Sequence, residues 1–398
     1  MEHGSPIWLT YGFIYLTAAV LAVPIARALG LGAIIGYLGA GIAMGPWGFG
    51  LVRNVDDILH FAEFGVVLML FVIGLELQPS RLWELRRPIL GWGLAQMLAC
   101  TGVLFLAAWA FGFSWRVSLI AGMGLALSST AFVLPTLAER RELSTRHGRE
   151  AFAILLFQDL SVIPLLALIP LFGTGKPTAL THPGVGLGLL VVVAVVGRPL
   201  LNALFRHVAR VNSREMFTAA ALVTVLGLAL MMQAGGLSMS LGAFVAGVLL
   251  ADSAFRHELE ASIAPFQGLL LGLFFMAVGM STNLSLLVKF PWQILGLTVG
   301  LIVIKFVMLY GLRRLIGGQR ADARLLALAL AQGGEFAFVL FDAAQSFRVL
   351  GEVQADKLTL VVALFSAALA PMLRRVRTVP FERLRPGPPW LLAQSVNP

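Results

Sequence analysis

Long apolar runs separated by short polar gaps are the feature that most constrains what this chain can fold into. Of its 398 residues, 59% are hydrophobic and 12% are charged, whereas a soluble domain carries about 25% charged residues. A soluble protein of this composition would expose large apolar surfaces to water, so the composition indicates lipid as the solvent. We therefore expect an all-α polytopic membrane protein.

The apolar runs predict about thirteen transmembrane helices, because a helix needs ~20 residues to cross ~30 Å of hydrocarbon. Two of the runs are rather short for a full crossing. The predicted spans, numbered in chain order, are 7–27, 31–47, 58–78, 88–112, 115–138, 150–173, 184–205, 214–233, 237–252, 265–281, 290–312, 324–346 and 356–373.

The basic residues predict the orientation of these spans. With the N-terminus outside, 21 of the 29 Lys and Arg residues fall in inner loops and the C-terminal tail, and six fall outside. Because cytoplasmic loops carry an excess of Lys and Arg, this asymmetry predicts a cytoplasmic C-terminus. The basic residues lie between apolar runs rather than on one stripe, which argues against nucleic-acid binding. We expect a multi-pass protein of a bacterial inner membrane.

Three short matches indicate an internal repeat. The tetrapeptide Ala-Phe-Val-Leu occurs at 131–134 in span 5 and at 337–340 in span 12. Glycine-containing matches link span 2 with span 9, and span 3 with span 10, at the same offset of seven spans. An odd offset predicts two inverted six-helix repeats, as in secondary transporters. The predicted divisions are repeat one at about 7–173, a linker helix at about 184–205, repeat two at about 214–376, and a cytoplasmic tail at 377–398.

Four polar side chains lie near the middle of four different spans. They are Ser129, Asp159, Lys305 and Glu335. Counted from the inner end of each helix at ~1.5 Å per residue, all four lie roughly 12–17 Å deep, near the bilayer midplane. Ionisable groups are costly in hydrocarbon and usually mark a pathway, so the four predict one shared site.

Gln158 and Asp159 place an amide oxygen beside a carboxylate in span 6. Hard cations take oxygen ligands, and one carboxylate balances the charge of one monovalent cation. The same carboxylate can take a proton instead, so cation and proton would compete for it. We predict a K⁺ site at Asp159 and Gln158, with Ser129 and Thr130 as further ligands. The alternative is a structural ion pair between Asp159 and Lys305, and the two interpretations are compatible.

Residues that favour helix breaks lie in the two spans that share the tetrapeptide. Span 5 contains Ser-Ser-Thr at 128–130, and span 12 contains Gln332, Gly333, Gly334 and Glu335. Glycine pairs and Ser/Thr clusters are typical of places where membrane helices unwind. We expect Glu335 to neutralise the N-terminus of the half-helix that follows. The alternative is close helix packing through small residues, which the stripes Gly32-x₃-Gly36 and Gly41-x₃-Gly45 of span 2 also indicate.

Several motifs together resemble the membrane domain of the Kef-type glutathione-gated potassium efflux systems, in the monovalent cation:proton antiporter superfamily. The stretch at 10–376 is similar to that domain. The matching segments are Gly-Leu-Glu-Leu-Gln-Pro-Ser at 74–80, Leu-Ser-Ser-Thr-Ala at 127–131, Leu-Phe-Gln-Asp-Leu at 156–160, Arg-His-Glu-Leu-Glu at 256–260, Gly-Leu-Leu-Leu-Gly-Leu-Phe-Phe at 268–275 and Gln-Gly-Gly-Glu-Phe-Ala-Phe-Val-Leu-Phe at 332–341.

The resemblance implies an antiporter-like fold in which spans 5 and 12 cross where they unwind. It implies a homodimer through spans 1–3 and 8–10, with spans 4–6 and 11–13 as a moving core. It also implies that Asp159 is the ion-binding carboxylate and that Lys305 is its partner.

Kef-type systems are gated by a cytoplasmic nucleotide-binding regulatory domain that follows the last span. The gating loop matches 256–260 here, which contains His257, Glu258 and Glu260. No Gly-x-Gly-x-x-Gly unit follows the last predicted span, so we expect the regulatory domain to be absent from this chain. Either the chain is truncated or the domain lies on another chain.

The predicted function is potassium efflux or K⁺:H⁺ antiport, with K⁺ as the bound ion. Na⁺/H⁺ antiport is the alternative within the class, and Gln158 argues against it because a second carboxylate usually accompanies two-proton exchange for Na⁺. A channel-like K⁺ pathway is a third interpretation, although the chain has no filter sequence such as Thr-Val-Gly-Tyr-Gly. A membrane enzyme is disfavoured because no nucleophile–base pair lies in the spans.

Overall fold

A computed structural model describes residues 7–29, 31, 33–52, 55–76, 86–173, 183–211, 213–235 and 239–375. Regular structure in these residues is helical throughout. Gly32 of the first glycine stripe, residues 77–80 of the resemblance motif and the tail at 377–398 lie outside the described residues, as do the end of span 58–78 and the start of span 237–252.

The helices follow the predicted runs closely. Their bounds are α1 Ile7–Ala28, α2 Ala33–Met44, α3 Val55–Glu76, α4 Leu94–Ala110, α5 Trp115–Ala126, α6 Thr130–Glu139, α7 Arg146–Phe172, α8 Pro183–Val211, α9 Arg214–Ala234, α10 Met239–Leu250, α11 Arg256–Ser281, α12 Ser285–Lys289, α13 Pro291–Leu315, α14 Arg320–Leu330, α15 Phe336–Ser346 and α16 Glu352–Arg375. A short turn at Arg86–Pro88 and a π-helical turn at Ile89–Gly93 lead into α4.

Six stretches among the described residues are long and apolar enough to cross a membrane as one helix: Thr10–Ala28, Ile89–Ala110, Arg146–Phe172, Glu215–Ala234, Arg256–Ser281 and Pro291–Leu315. Shorter apolar helices, among them α2, α5, α10 and α15, pack between them. The chain is a multi-pass membrane protein, and the number of thirteen crossings stays a prediction.

The helices form two groups. α1, α2, α3, α9, α10 and α11 pack together with α8, and we call this group the scaffold. α4, α5, α6, α7, α13, α14, α15 and α16 form the second group, which we call the core. The two groups meet across a buried apolar layer in which the rings of Phe275 on α11 and Phe338 on α15 lie edge to face at 5.9 Å.

Glycines bring the scaffold helices into backbone contact. A Cβ at Gly41 of α2 would lie 2.0 Å from the carbonyl oxygen of Met276 on α11. On the next pair of helices, a Cβ at Gly247 of α10 would lie 2.1 Å from the carbonyl oxygen of Phe71 on α3. Only glycine permits backbones to approach so closely, so the scaffold is tightly packed along α2–α11 and α3–α10.

The segment predicted as the gating loop is helical, so its predicted loop conformation is wrong, whereas its gating role stays a prediction. α11 begins at Arg256, so His257, Glu258 and Glu260 lie in its first turns instead of preceding it. Leu259 and Ile263 of this segment are fully buried in the scaffold, and Glu258 carries a negative charge near the positive end of the helix dipole. Both features extend the helix beyond the apolar run.

Candidate ion-binding site

Two interrupted helices cross at the centre of the core. α5 ends at Ala126 and α6 begins at Thr130, so residues 127–129 are unwound. α14 ends at Leu330 and α15 begins at Phe336, which leaves residues 331–335 unwound. The hydroxyl of Ser128 donates to the carbonyl of Leu330 at 2.7 Å, and Gly334 lies against the backbone of Ser128. The predicted breaks therefore occur, and they contact each other.

Lys305 joins both breaks from α13. Its ammonium donates to the carbonyl of Leu127 in the first break and to the carbonyl of Gln332 in the second, each at 2.7 Å. It also lies 3.2 Å from the hydroxyl of Ser128, and its side chain is fully buried. These bonds give the lysine backbone partners at the crossing.

Gln158 holds the first break from α7. Its Oε1 accepts a hydrogen bond from the Ser128 N–H at 2.8 Å, and its Nε2 donates to Oε1 of Gln96 at 2.8 Å. Both amides approach the carbonyl of Ala126, at 3.3 Å and 3.2 Å. Gln158 and Gln96 are 1% and 0% exposed, so both lie inside the bundle, and the role of Gln158 as a cation ligand stays a prediction.

Asp159 has a different environment from its neighbour. The hydroxyl of Thr130, the first residue of α6, lies 3.1 Å from Oδ1 and 3.0 Å from Oδ2. Both side chains are partly exposed. The carboxylate thus lies beside the end of the first break, with one hydroxyl donor and remaining lone pairs for a further ligand.

A cavity of about 490 Å³ leads to this region between scaffold and core. The two breaks contribute Ser129, Gln332, Gly333 and Glu335 to its wall, while Arg27 of α1 lies on the scaffold side. The cavity reaches Ser129, which precedes the threonine that bonds to Asp159. Residues from the two breaks therefore meet solvent-accessible space next to the carboxylate.

Glu335 directly precedes α15 and is 8% exposed. Its side chain lines the same cavity as Ser129, which precedes the threonine bonded to Asp159. The structure thus brings Asp159, Ser129, Lys305 and Glu335 into one region, as their equal depth predicts. His257, Glu258 and Glu260 lie apart from them, at the start of a scaffold helix.

A cluster of charged residues lies at one end of the core and was not predicted from the sequence. Arg313, fully buried at the end of α13, pairs with Glu150 at 2.7 Å and stacks over the ring of Trp92. Next to it, the buried His147 lies 3.2 Å from Glu142 and 3.6 Å from Asp322. These residues are at span ends, where polar residues are ordinary, and the contacts of Arg313 with Glu150 and of His147 with Asp322 join positions distant in sequence.

Broken helices that cross beside a carboxylate are typical of secondary ion transporters with discontinuous helices. The family model described as "Sodium/hydrogen exchanger, transmembrane" matches residues 15–375. The chain therefore belongs to the sodium/hydrogen exchanger family, which consists of cation:proton antiporters and not enzymes.

Solved structures with the same fold include the sodium proton antiporter MjNhaP1 from Methanocaldococcus jannaschii at pH 8. It has 16% sequence identity and a TM-score of 0.64, over 92% of this chain and 96% of that one. An electron-microscopy structure of MjNhaP1 gives 15% identity and a TM-score of 0.63, over 96% and 100% of the two chains. At this identity the likeness establishes the fold.

Proposed function

We propose that this protein exchanges a monovalent cation for a proton at Asp159, with K⁺ as the preferred cation. The observation that carries the proposal is the position of Asp159, whose carboxylate is bonded to Thr130 at the end of the first break. The cavity between scaffold and core brings solvent as far as the neighbouring Ser129. In this proposal, ion and proton reach the Asp159 carboxylate from the cavity, past Ser129.

Exchange follows from competition for one carboxylate. A cation at Asp159 needs the ionised form, and a proton on Asp159 removes the charge that holds the cation. Cation binding and proton binding therefore weaken each other, and linkage makes the effect equal in both directions. Apparent cation affinity should fall as pH is lowered, because protons then occupy more of the carboxylates.

The ligand set favours K⁺ in this proposal. It consists of the Asp159 carboxylate, the Thr130 hydroxyl and the hydroxyl or carbonyl of Ser129, with an uncharged amide at Gln158. One carboxylate with neutral oxygens makes a weaker field than two carboxylates, which suits a large ion that loses its water easily. The family match favours Na⁺/H⁺ antiport as the second candidate.

The Kef-like features extend the proposal. Spans 1–3 and 8–10 of the scaffold would form a homodimer, and the core would move against it in a bacterial inner membrane. Glycine contacts along α2–α11 and α3–α10 support a rigid scaffold. A cytoplasmic regulatory domain would act at the start of α11, where His257 and Glu258 are exposed.

The test is ion flux in proteoliposomes with K⁺, Rb⁺ or Na⁺, with and without an imposed pH gradient. The parent protein should couple K⁺ and Rb⁺ movement to opposite proton movement. Asp159→Asn keeps the size of the side chain and removes its charge, so flux should disappear while the protein stays folded. If only Na⁺ flux is coupled to protons, the transported cation is Na⁺ and not K⁺. Full coupled flux in Asp159→Asn would place the ion site elsewhere, with Glu335 as the next carboxylate to test.

A further inference from the structure

The first helix break needs partners for its backbone, and the amides of Gln96 and Gln158 provide them. Where α5 ends, Ala126 has a carbonyl and Ser128 an N–H outside regular helix bonding. Gln158 accepts from Ser128, and both amides approach Ala126. Because buried backbone groups without partners are costly, these bonds stabilise the unwound conformation just before Thr130.

The direction of each amide follows from this network. The Ser128 N–H needs an acceptor, so Oε1 of Gln158 must face it. Nε2 of Gln158 then faces Gln96, which presents its own oxygen at 2.8 Å. Nε2 of Gln96 is left to donate to the carbonyl of Ala126 at 3.2 Å. Each amide orientation depends on the other, so Gln96 holds Gln158 in the orientation that accepts from Ser128.

The start of α4 explains how Gln96 reaches Gln158. The π-helical turn at Ile89–Gly93 ends at a glycine whose Cβ would lie 2.1 Å from the Cβ of Phe157. Gly93 therefore permits close approach of α4 to α7 one residue before Gln158. Gln96 lies three residues after Gly93, on nearly the same face of the helix. Such π-helical turns are frequent at functional sites.

The amide pair also aims the neighbouring carboxylate. Successive residues on a helix are about 100° apart around its axis. With Gln158 directed at Ser128 inside the bundle, Asp159 lies at the edge of the same helix, where Thr130 donates to it. Gln158 contacts Ser128 in the break, and Asp159 contacts Thr130 just after it. Because Ser128 and Thr130 are only two positions apart, a shift in one contact moves the other.

We propose that Gln96 is a positioning residue for cation exchange, which acts through Gln158 to hold the first helix break and the Asp159–Thr130 contact in the ion-binding arrangement. This rests on the proposed function at Asp159. Gln96 does not contact the ion in this proposal, and its effect is on the affinity for any monovalent cation.

The test compares Gln96→Met, Gln158→Met and the double variant in proteoliposomes at several pH values. Methionine has a similar length and cannot replace the amide bonds. Gln96→Met should raise the KM for K⁺ about tenfold, as expected when a buried hydrogen bond is lost, with a smaller change in the maximal rate. The double variant should have the KM of Gln158→Met alone, because Gln96 acts through Gln158.

Thr298→Val is the matched control, since this buried hydroxyl on α13 donates within its own helix to Ile294. It should leave the KM unchanged. Independent, multiplicative effects of the two glutamine substitutions, or an unchanged KM in folded Gln96→Met, would overturn the inference. Asp159→Asn separates the two proposals: if it is inactive while Gln96→Met has the parent KM, only the positioning role fails. If Asp159→Asn exchanges ions normally, the proposed function fails as well.

Discussion

At the scale of single residues, the centre of the core is built by side chains that satisfy interrupted backbone. Lys305 donates to a carbonyl in each break, and Ser366 on α16 donates to the carbonyl of Gly333 at 3.3 Å. Because these carbonyls already accept hydrogen bonds, fewer backbone oxygens are available to a cation. In the proposed ion site, the carboxylate of Asp159 and the hydroxyl of Thr130 are therefore the more important ligands.

Lys305→Met should destabilise the protein more than it changes ion selectivity. The substitution leaves two buried carbonyls without the ammonium, and each lost partner costs about 1–3 kcal/mol. A lower melting temperature in detergent is the expected result. Lys289→Met is the control, because Lys289 is an exposed lysine at the end of α12. Equal melting temperatures for the two variants would contradict a bracing role for Lys305.

Gln158→Glu should change selectivity. Glutamate has nearly the same shape and keeps an oxygen for the Ser128 N–H, but it loses the N–H that donates to Gln96 and adds a second carboxylate beside Asp159. The stronger field favours a smaller ion, so the ratio of KM values for Na⁺ and K⁺ should shift several-fold toward Na⁺. Competition assays with the two ions measure it. An unchanged ratio would mean that selectivity comes from the unwound backbone and Thr130.

Residues of the site differ in how far the sequence could predict them. Asp159, Lys305 and Glu335 are conspicuous because a charged residue in an apolar run has few ordinary explanations. Gln96 is uncharged and has no local pattern, and its partner lies 62 positions away, so only the folded chain reveals it. The orientation of Gln158 escaped prediction for the same reason, since it depends on the direction of a distant amide.

At the scale of helices, glycine determines which pairs approach most closely. The stripe Gly41-x₃-Gly45 predicts an interface, and both residues contact backbone of α11, at Met276 and Met280. The breaks at 127–129 and 331–335 also follow from local composition, because Ser, Thr and Gly support unwinding. The extension of α11 back to Arg256 does not follow from local composition, because its polar first turn is held by packing within the scaffold.

Gly41→Ala should loosen the scaffold, whereas Gly39→Ala on the same helix should not. A Cβ at Gly41 would overlap the carbonyl of Met276, while a Cβ at Gly39 meets nothing within 4 Å. Overpacking of this kind costs about 1–3 kcal/mol, and Gly39→Ala improves helix propensity by up to ~1 kcal/mol. Thermal unfolding in detergent should therefore move in opposite directions. Equal destabilisation would mean that helix α2 is sensitive to any side chain there.

At the scale of the whole molecule, the two groups of helices enclose a cavity between them. The end of α7 that carries Glu150 pairs with the end of α13 that carries Arg313, and His147 faces Asp322 of α14. These contacts gather arginine-bearing helix ends at one end of the core, and the side of the membrane on which they lie stays a prediction. Arg27 and Thr136, which also lie near predicted inner ends, line the cavity between the groups.

The cavity should open to the cytoplasm. Single-cysteine labelling can test to which side of the membrane it opens. The native Cys100 is 2% exposed, so Cys100→Ala provides a background without thiols. Ala363→Cys places a thiol on the cavity wall, on α16. We expect a membrane-impermeant thiol reagent to modify it in inside-out vesicles and not in right-side-out vesicles. Phe113→Cys, in the exposed turn between α4 and α5, should show the reverse pattern.

This pair of labelling sites distinguishes orientation from conformation. The turn that contains Phe113 and the turn that follows α6 lie at opposite ends of the α5–α6 segment. If both labelling patterns are inverted, the N-terminus is cytoplasmic and the orientation predicted from the charge asymmetry is wrong. If Phe113→Cys reacts from outside as expected but Ala363→Cys also reacts only from outside, the orientation stands and the cavity belongs to an outward-open state. An inward-open ion route that ends at Asp159 requires two results. Ala363→Cys must react from the cytoplasmic side, and saturating K⁺ must slow this reaction when Asp159 is present but not in Asp159→Asn.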